Sequence, residues 1–557
     1  MRNSLETIAD RRRSFAAFYT PIEVAQCLTN WAIRAKSERV LDPSFGACAF
    51  LAASINTLCG LGAKRPFTQL AGVDVDNGAL TYLRALPGYR WCSGSFKIGV
   101  DFLSIQPDTK STWQFEVVVG NPPYIRHHRL RTKQMVTAQR AATSLGYRLS
   151  RRASYWAYFM LHSLGFLKEG GRLAMVLPLS LLSSDYAAPI REVLDTKFRQ
   201  AKAVLIRQRL FPEAEEGSIV VLAEGWRASG HITQVRVVAS IRGLAHACST
   251  KYAAPAVQKR TEGESWREAM LPRSTLELYR EIRGLPAVRA LGETAAIRIG
   301  VVTGANDFFV LRPSEAKSLR IPERYLRPVV PHSRALTSLC LTGKMMNHFE
   351  ATDTRCKLLV VPYSRIARPV KEYIDGPLGK AIRSRVKCCV RKEWYRIEDT
   401  EVPDAFLTYV IGTIPKLSLN EAGALCTNAI HRVLWAKSAV MPSPQLVILS
   451  FLSSLSRLSI EIEGRSYGGG ALKIEPSDAR RVLVALPSLE DGRVEHTVSA
   501  AEEKLAQHDP EGARVLADTL ILRDGLGLSS SEVESIRTGL EALLRARTPL
   551  RITSATS

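Results

Sequence analysis

Eight residues constrain this chain most: Val117 to Tyr124, reading Val-Val-Val-Gly-Asn-Pro-Pro-Tyr. The short β-branched run predicts a buried parallel strand. Gly120 ends it, and two successive prolines allow neither helix nor ladder pairing. Asn121 to Tyr124 are therefore expected to form a rigid turn at the carboxyl end of a strand, where open α/β sheets hold their ligands. The turn offers the Asn121 amide oxygen, the Pro122 carbonyl and the ring of Tyr124. Two acceptors beside a flat ring suit an exocyclic amino group on a planar ring. Accepting its two N–H bonds steadies the positive charge that builds on the nitrogen as it attacks an electrophilic methyl. The same four residues also fit a plain Pro-Pro loop with Asn121 capping it, so the flanking residues decide.

A chain of 557 residues exceeds one core, and two or three domains are expected. Its 46% hydrophobic content is that of a globular protein. No apolar run reaches a membrane span, and Met1 to Arg13 lacks the apolar stretch of a secretory signal. The ten cysteines contain no Cys-x-x-Cys pair, which points to reduced thiols, a cytoplasmic setting and no metal site. Against 53 Asp+Glu stand 76 Lys+Arg, a net charge of +23. That excess calls for a polyanionic partner, nucleic acid first.

In chain order, Thr20 with Pro21 starts a helix reaching about Ala35, with Thr20 as N-cap. Such a helix end also suits a carboxylate ligand. Arg39 to Asp42 read as a strand, followed by a small-residue turn with Gly46 and a helix to about Leu58. Leu70 to Asp76 form a second strand ending in acid, as in ribose-binding βαβ units. Asp101-Phe102 and the strand into Asn121 complete an open, mostly parallel sheet. From Ile125 to Leu167 there is no Asp or Glu. The stretch carries Arg126, Arg129, Arg131, Lys133, Arg151 and Arg152, and such a one-sign run suits phosphate contacts. A helix follows over Tyr155 to Leu167, ending at Gly170-Gly171, then a strand over Arg172 to Val176 and a further helix. Ser218 to Ala223 and Thr233 to Ala239 read as an edge hairpin.

The expected organisation is a catalytic domain over 1–242, a connector over 243–288, a mixed α/β recognition unit over 289–488 and a helical segment over 489–557. In the third, Thr303-Gly304-Ala305-Asn306-Asp307-Phe308-Phe309, Arg391 to Arg396 and Tyr467-Gly468-Gly469-Gly470 suit a surface that reads a partner.

Five motifs in order, over about residues 15–240, resemble the adenine-N6 DNA methyltransferases of restriction–modification systems with an Asn-Pro-Pro-Tyr motif. The resemblance implies a Rossmann-like S-adenosylmethionine-dependent domain followed by a target-recognition domain. Carried over by position, it implies cofactor contacts at Thr20, Asp42, Gly46, Asp74, Asp101, Phe102 and Phe159. Asn121 and Pro122 would accept from the target amino group, with Tyr124 and Phe211 stacking on the flipped base. Two positions depart from the family pattern: Cys48 and Ala16 stand where a glycine is usual. Double-stranded DNA is the implied substrate, with a separate cognate endonuclease as a partner in a bacterial or archaeal cytoplasm, associated with the nucleoid. The same turn also fits other planar amino or amide acceptors: cytosine N4, RNA adenine or protein glutamine. A non-catalytic specificity subunit is the reading from another class.

Overall fold

The computed structural model describes residues 20–91, 95–107, 113–211, 217–229, 232–249, 265–412, 414–436, 442–467 and 470–548. The readings on Ala16, Gly468 and Gly469 lie outside these residues. Two compact units divide the chain. The first runs to Leu271 and takes in Ser466–Gly470 and the chain from Arg545 onward; the second holds Pro272–Arg465 and Ala471–Leu544. The boundary at Leu271 falls inside the segment read as a connector, because Trp266 and Ala269 are buried in the first unit's core.

The first unit is built on eight strands: β1 (Val40–Asp42), β2 (Leu70–Asp74), β3 (Phe96–Ile98), β4 (Phe115–Gly120), β5 (Leu167–Pro178), β6 (Phe198–Ile206), β7 (Ser218–Trp226) and β8 (Ile232–Val238). They lie in the order β3-β2-β1-β4-β5-β7-β6-β8. Only β7 runs against its neighbours; the other pairings are parallel. Helices cover both faces, so the expected Rossmann-like α/β class with an open, mostly parallel sheet is what the first unit adopts. In β4 the side chains alternate: Val117 and Val119 pack with α1 (Ile22–Ala32) and α2 (Ala49–Gly60). Val118 packs on the opposite face, with helices α4 (Thr132–Ser144) and α5 (Tyr155–Ser163). A short α3 (Ala79–Arg84) follows β2 on the α1 side. The strand order reverses between β1 and β4, and that switch point is where the loops open a crevice.

Several local expectations change. Helix α1 begins at Ile22 with Pro21 in the N-cap position and no side-chain cap, so Thr20 is not its N-cap. The helix starting at Tyr155 stops at Ser163, and β5 begins at Leu167 rather than at Arg172. Gly170 and Gly171 are thus not a break between elements. They form an irregularity inside β5, where pairing with β4 skips from Phe115–Leu167 to Val117–Arg172. Gly170 supplies a φ of +75° for it. The expected edge hairpin is absent: β7 inserts between β5 and β6, and β8 pairs in parallel with β6. The physical reason is β7's burial on both faces, which fits an interior strand.

The second unit is mixed α/β. A five-stranded sheet runs Ala295–Ile299, Ile430–Trp435, Ala405–Thr408, Leu417–Asn420, Cys340–Leu341. Helices Pro444–Leu452 and Ser454–Glu463 are buried along their length, meeting at 73°. Among the described residues no single helix is long and apolar enough to cross a membrane, though this bent pair passes that test together. The helical residues from Asp491 to Gly525 belong to this unit rather than forming a separate segment.

Candidate active site

Parallel pairing of β1 with β2 and β4 sets Asp42 opposite Gly72 and Leu41 opposite Val118. The loops that follow these strands therefore leave the sheet side by side. Between them lies a cavity of about 410 Å³. Thr20, Gly46, Asp74, Asp101, Phe102, Asn121, Pro122 and Phe159 all line it. So do Ser44, Gln134, Tyr82 and Tyr155, which the sequence did not single out.

The acids have distinct settings. Asp74 accepts from the Gly46 and Asp76 amides, each at 2.8 Å. Burial nonetheless holds its carboxyl above the usual carboxylate range, against the pull of those amides. Asp101 accepts from the Leu103 amide at 3.1 Å and from the Tyr155 hydroxyl at 2.7 Å. Phe102 is buried between Phe159 and Phe166, with ring centroids 5.5 and 5.1 Å away. Asp42, expected at the cofactor's edge, is behind the cavity and not on its wall. It is 1% exposed. One carboxylate oxygen accepts from the Ser44 amide at 3.1 Å, and the other meets no hydrogen-bond partner among the described residues. Burial pushes this carboxyl up to about 8.

Ser44 joins the two loops. Its amide is held by Asp42, and its hydroxyl donates to the Asn121 main-chain carbonyl at 3.2 Å. Gly120 allows this approach, since a Cβ there would sit 3.1 Å from an Asp42 oxygen and 3.3 Å from Pro43. Asn121 is thereby carried to the cavity wall with Pro122 and Pro123.

Tyr124 and Phe211 are not parallel plates. Their centroids are 6.4 Å apart at 80°, an edge-to-face contact that two rings adopt when nothing lies between them. Phe211 is buried at 3% exposure, and neither ring lines the cavity. Cys48 adopts φ +67°, the left-handed conformation that glycine takes without strain. Its side chain is buried in the core cluster and does not narrow the cavity.

Arg129, Arg131, Lys133, Arg151 and Arg152 are exposed, and Arg126 is half-buried. His127 is held below its usual range by burial, then by His128 and Arg152. The Tyr155 amide donates to the Ile125 carbonyl at 2.9 Å, which brings the two ends of the basic stretch near each other. Helix α4 buries Ala138, Ala141 and Ala142 and leaves Lys133 and Arg140 exposed.

Residues 93–207 match the family described as Eco57I restriction-modification methylase. Residues 263–522 match the one described as Type II methyltransferase M.Eco57I, C-terminal domain. The chain is 22% identical over 487 residues to Type II methyltransferase M.AccI of Acinetobacter calcoaceticus, covering 85% of this chain and 86% of that protein. The chain belongs to the restriction–modification DNA methyltransferases. Type II methyltransferase M.XamI of Xanthomonas campestris pv. amaranthicola is 21% identical to this methyltransferase over 496 residues, 87% and 88% of the two chains. In fold, the methyltransferase resembles the Type IIL restriction-modification enzyme MmeI, solved with DNA: TM-score 0.56, 12% identity, 92% of this chain and 73% of that one.

Proposed function

We propose that this DNA methyltransferase transfers a methyl group from S-adenosylmethionine to the N6 amino group of an adenine turned out of duplex DNA. The single observation that carries the reading is the opening of the Asn121–Pro122–Pro123 turn onto the cavity lined by Asp74 and Asp101. The residues fit the cofactor. Asp74 suits its ribose hydroxyls and Asp101 its adenine amino group. Phe102 and Phe159 suit the adenine ring, and Thr20 and Gly46 the amino-acid end. The cavity volume is in the range of small-molecule sites. When bound, the cofactor supplies an electrophilic methyl on a sulfonium. In this reading Asp42 has a positioning role, holding Ser44 and through it the turn.

The chain's own part is positioning and charge stabilisation. The Asn121 amide oxygen and the Pro122 carbonyl accept the two N–H bonds of the target amino group. That keeps its lone pair directed outward and stabilises the charge gained on attack. Turning out the base costs a few kcal/mol. Stacking on Tyr124 offsets about 1–3 kcal/mol of it. For Phe211 to take the other face, its edge contact with Tyr124 has to open. Residues 289–488, which fall in the second unit apart from Ser466–Gly470, serve as the target-recognition domain, and the basic stretch from Arg126 to Arg152 contacts phosphates. The cognate endonuclease is a separate chain, and the setting is a bacterial cytoplasm.

The test is nucleoside analysis of unmethylated DNA incubated with the chain and methyl-labelled S-adenosylmethionine. N6-methyladenine at one sequence motif is expected. N4-methylcytosine, or label in protein and not in DNA, overturns the adenine reading.

A further inference from the structure

The three most exposed large apolar side chains among the described residues all lie in the second unit: Tyr363 at 76%, Val386 at 75% and Val390 at 74%. Single exposed apolar residues are ordinary, but two valines three-quarters bare on one segment are not. Their surroundings are cationic. From Gly376 to Lys392 there is no Asp or Glu, and Lys380, Arg383, Arg385, Lys387, Arg391 and Lys392 all fall within it. Arg383, Lys387 and Lys392 are exposed and enter no ion pair among the described residues.

The segment is held from beneath. Val386–Cys389 form one helical turn and Val390 continues the helical conformation, so the two valines share a face. Cys388 is fully buried, and its thiol reaches the Thr303 carbonyl at 3.8 Å. Arg391 donates to the Val302 and Thr303 carbonyls. Arg385 forks onto both Asp307 oxygens at 2.7 and 2.9 Å. The Thr303 to Phe309 stretch, expected to face a partner, thus serves as the platform that displays its neighbour. A rigid apolar tip has paid its ordering entropy before any partner arrives.

We propose that residues 377–392 are a DNA-docking element, with Val386 and Val390 set against base edges in a groove and Arg383, Lys387 and Lys392 on the flanking phosphates. Valine methyls gain from thymine methyls or from a base step, and lose nothing by leaving water. The cations gain by releasing counterions. An anionic bilayer is matched less well, because two valines supply little of the apolar face that interfacial helices bury. The proposal rests on duplex DNA being the substrate, as read above, and is independent of which base atom is methylated.

The experiment uses the full chain and two variants, Val386→Ser/Val390→Ser and Arg383→Gln/Lys387→Gln/Lys392→Gln. Amplified, unmethylated bacterial genomic DNA is treated with S-adenosylmethionine and the modified positions are read by single-molecule sequencing. Fragments of the same DNA serve for binding measured against salt. The altered side chains are exposed, so native unfolding midpoints are expected and are checked first. The valine variant should lose about tenfold or more of its preference for the native motif over single-mismatch sites. Its salt slope should stay native. The cation variant should keep the motif while binding weakens uniformly. Its slope of log affinity against log salt should flatten by about two to three. An unchanged preference in the valine variant, or an unchanged slope in the cation variant, overturns the proposal. It is also overturned if phosphatidylserine-containing vesicles bind the native chain but not the valine variant while DNA behaviour stays native. Should the native chain methylate a base other than adenine, the function proposed above fails, and the binding measurements still judge this element.

Discussion

Asn121 owes its place to one hydroxyl, the Ser44 donor on its carbonyl, and to the missing Cβ of Gly120. Replacing Asn121 by Ala should slow methyl transfer by about 10²–10³-fold, the usual loss for one group acting on developing charge. Affinity for DNA should hardly change. Native-like turnover in a single-turnover assay would remove Asn121 from the chemistry. Asp42 gives a pH test. Its folded carboxyl lies at about 8, against about 3.9 in an unfolded chain. Between those values the folded chain keeps a proton that the unfolded chain has released, so this contribution to stability falls as pH rises and levels off above the folded value. Asp42→Asn cannot ionise and lacks that slope. The unfolding midpoint of the variant should therefore gain on the native one between about pH 5 and about pH 8, with a ceiling near 1.4 kcal/mol per pH unit. Parallel curves would show an Asp42 ionised throughout. At this scale the acids at strand ends and the Asn-Pro-Pro turn were legible, because strand ends and prolines restrict the backbone wherever they occur. Ser44 and Tyr155 were not, since a hydroxyl reveals its partner only when 54 residues of chain bring Asp101 to Tyr155.

Among the elements, the strands that read well were short apolar runs bounded by turn residues, such as β1, β2 and β4. β6 went unseen, and with it the true neighbours of β7, because sequence adjacency favours hairpins and cannot show an insertion. The glycine pair inside β5 misled for a similar reason: it looks like a helix stop and works as a kink that shifts register. Gly170 faces open space but has a positive φ. Gly170→Ala should therefore cost about 1–2 kcal/mol from backbone strain alone, measured by denaturant unfolding. Cofactor binding should be unchanged. A neutral result would mean that the kink is not what fixes the pairing.

Charge works on the whole molecule. A net +23 and an exposed cationic stretch predict DNA binding that weakens steeply with salt. Arg129, Arg131, Arg151 and Arg152 changed together to Gln should flatten the slope by about 0.9 for each phosphate that they cease to neutralise. A slope equal to the native one would put the phosphate-binding cations elsewhere. Composition pointed to this property because charge adds without regard to fold, whereas a unit boundary depends on burial, and sequence placed it only within the connector 243–288, where the break falls after Leu271. The first unit also includes Ala546, buried in its core, and Arg547, which donates to the Gly470 carbonyl. Translation delivers those two residues only after more than five hundred others. A nascent polypeptide on the ribosome thus waits for these last pieces of its first unit until nearly the whole of its second unit has been made.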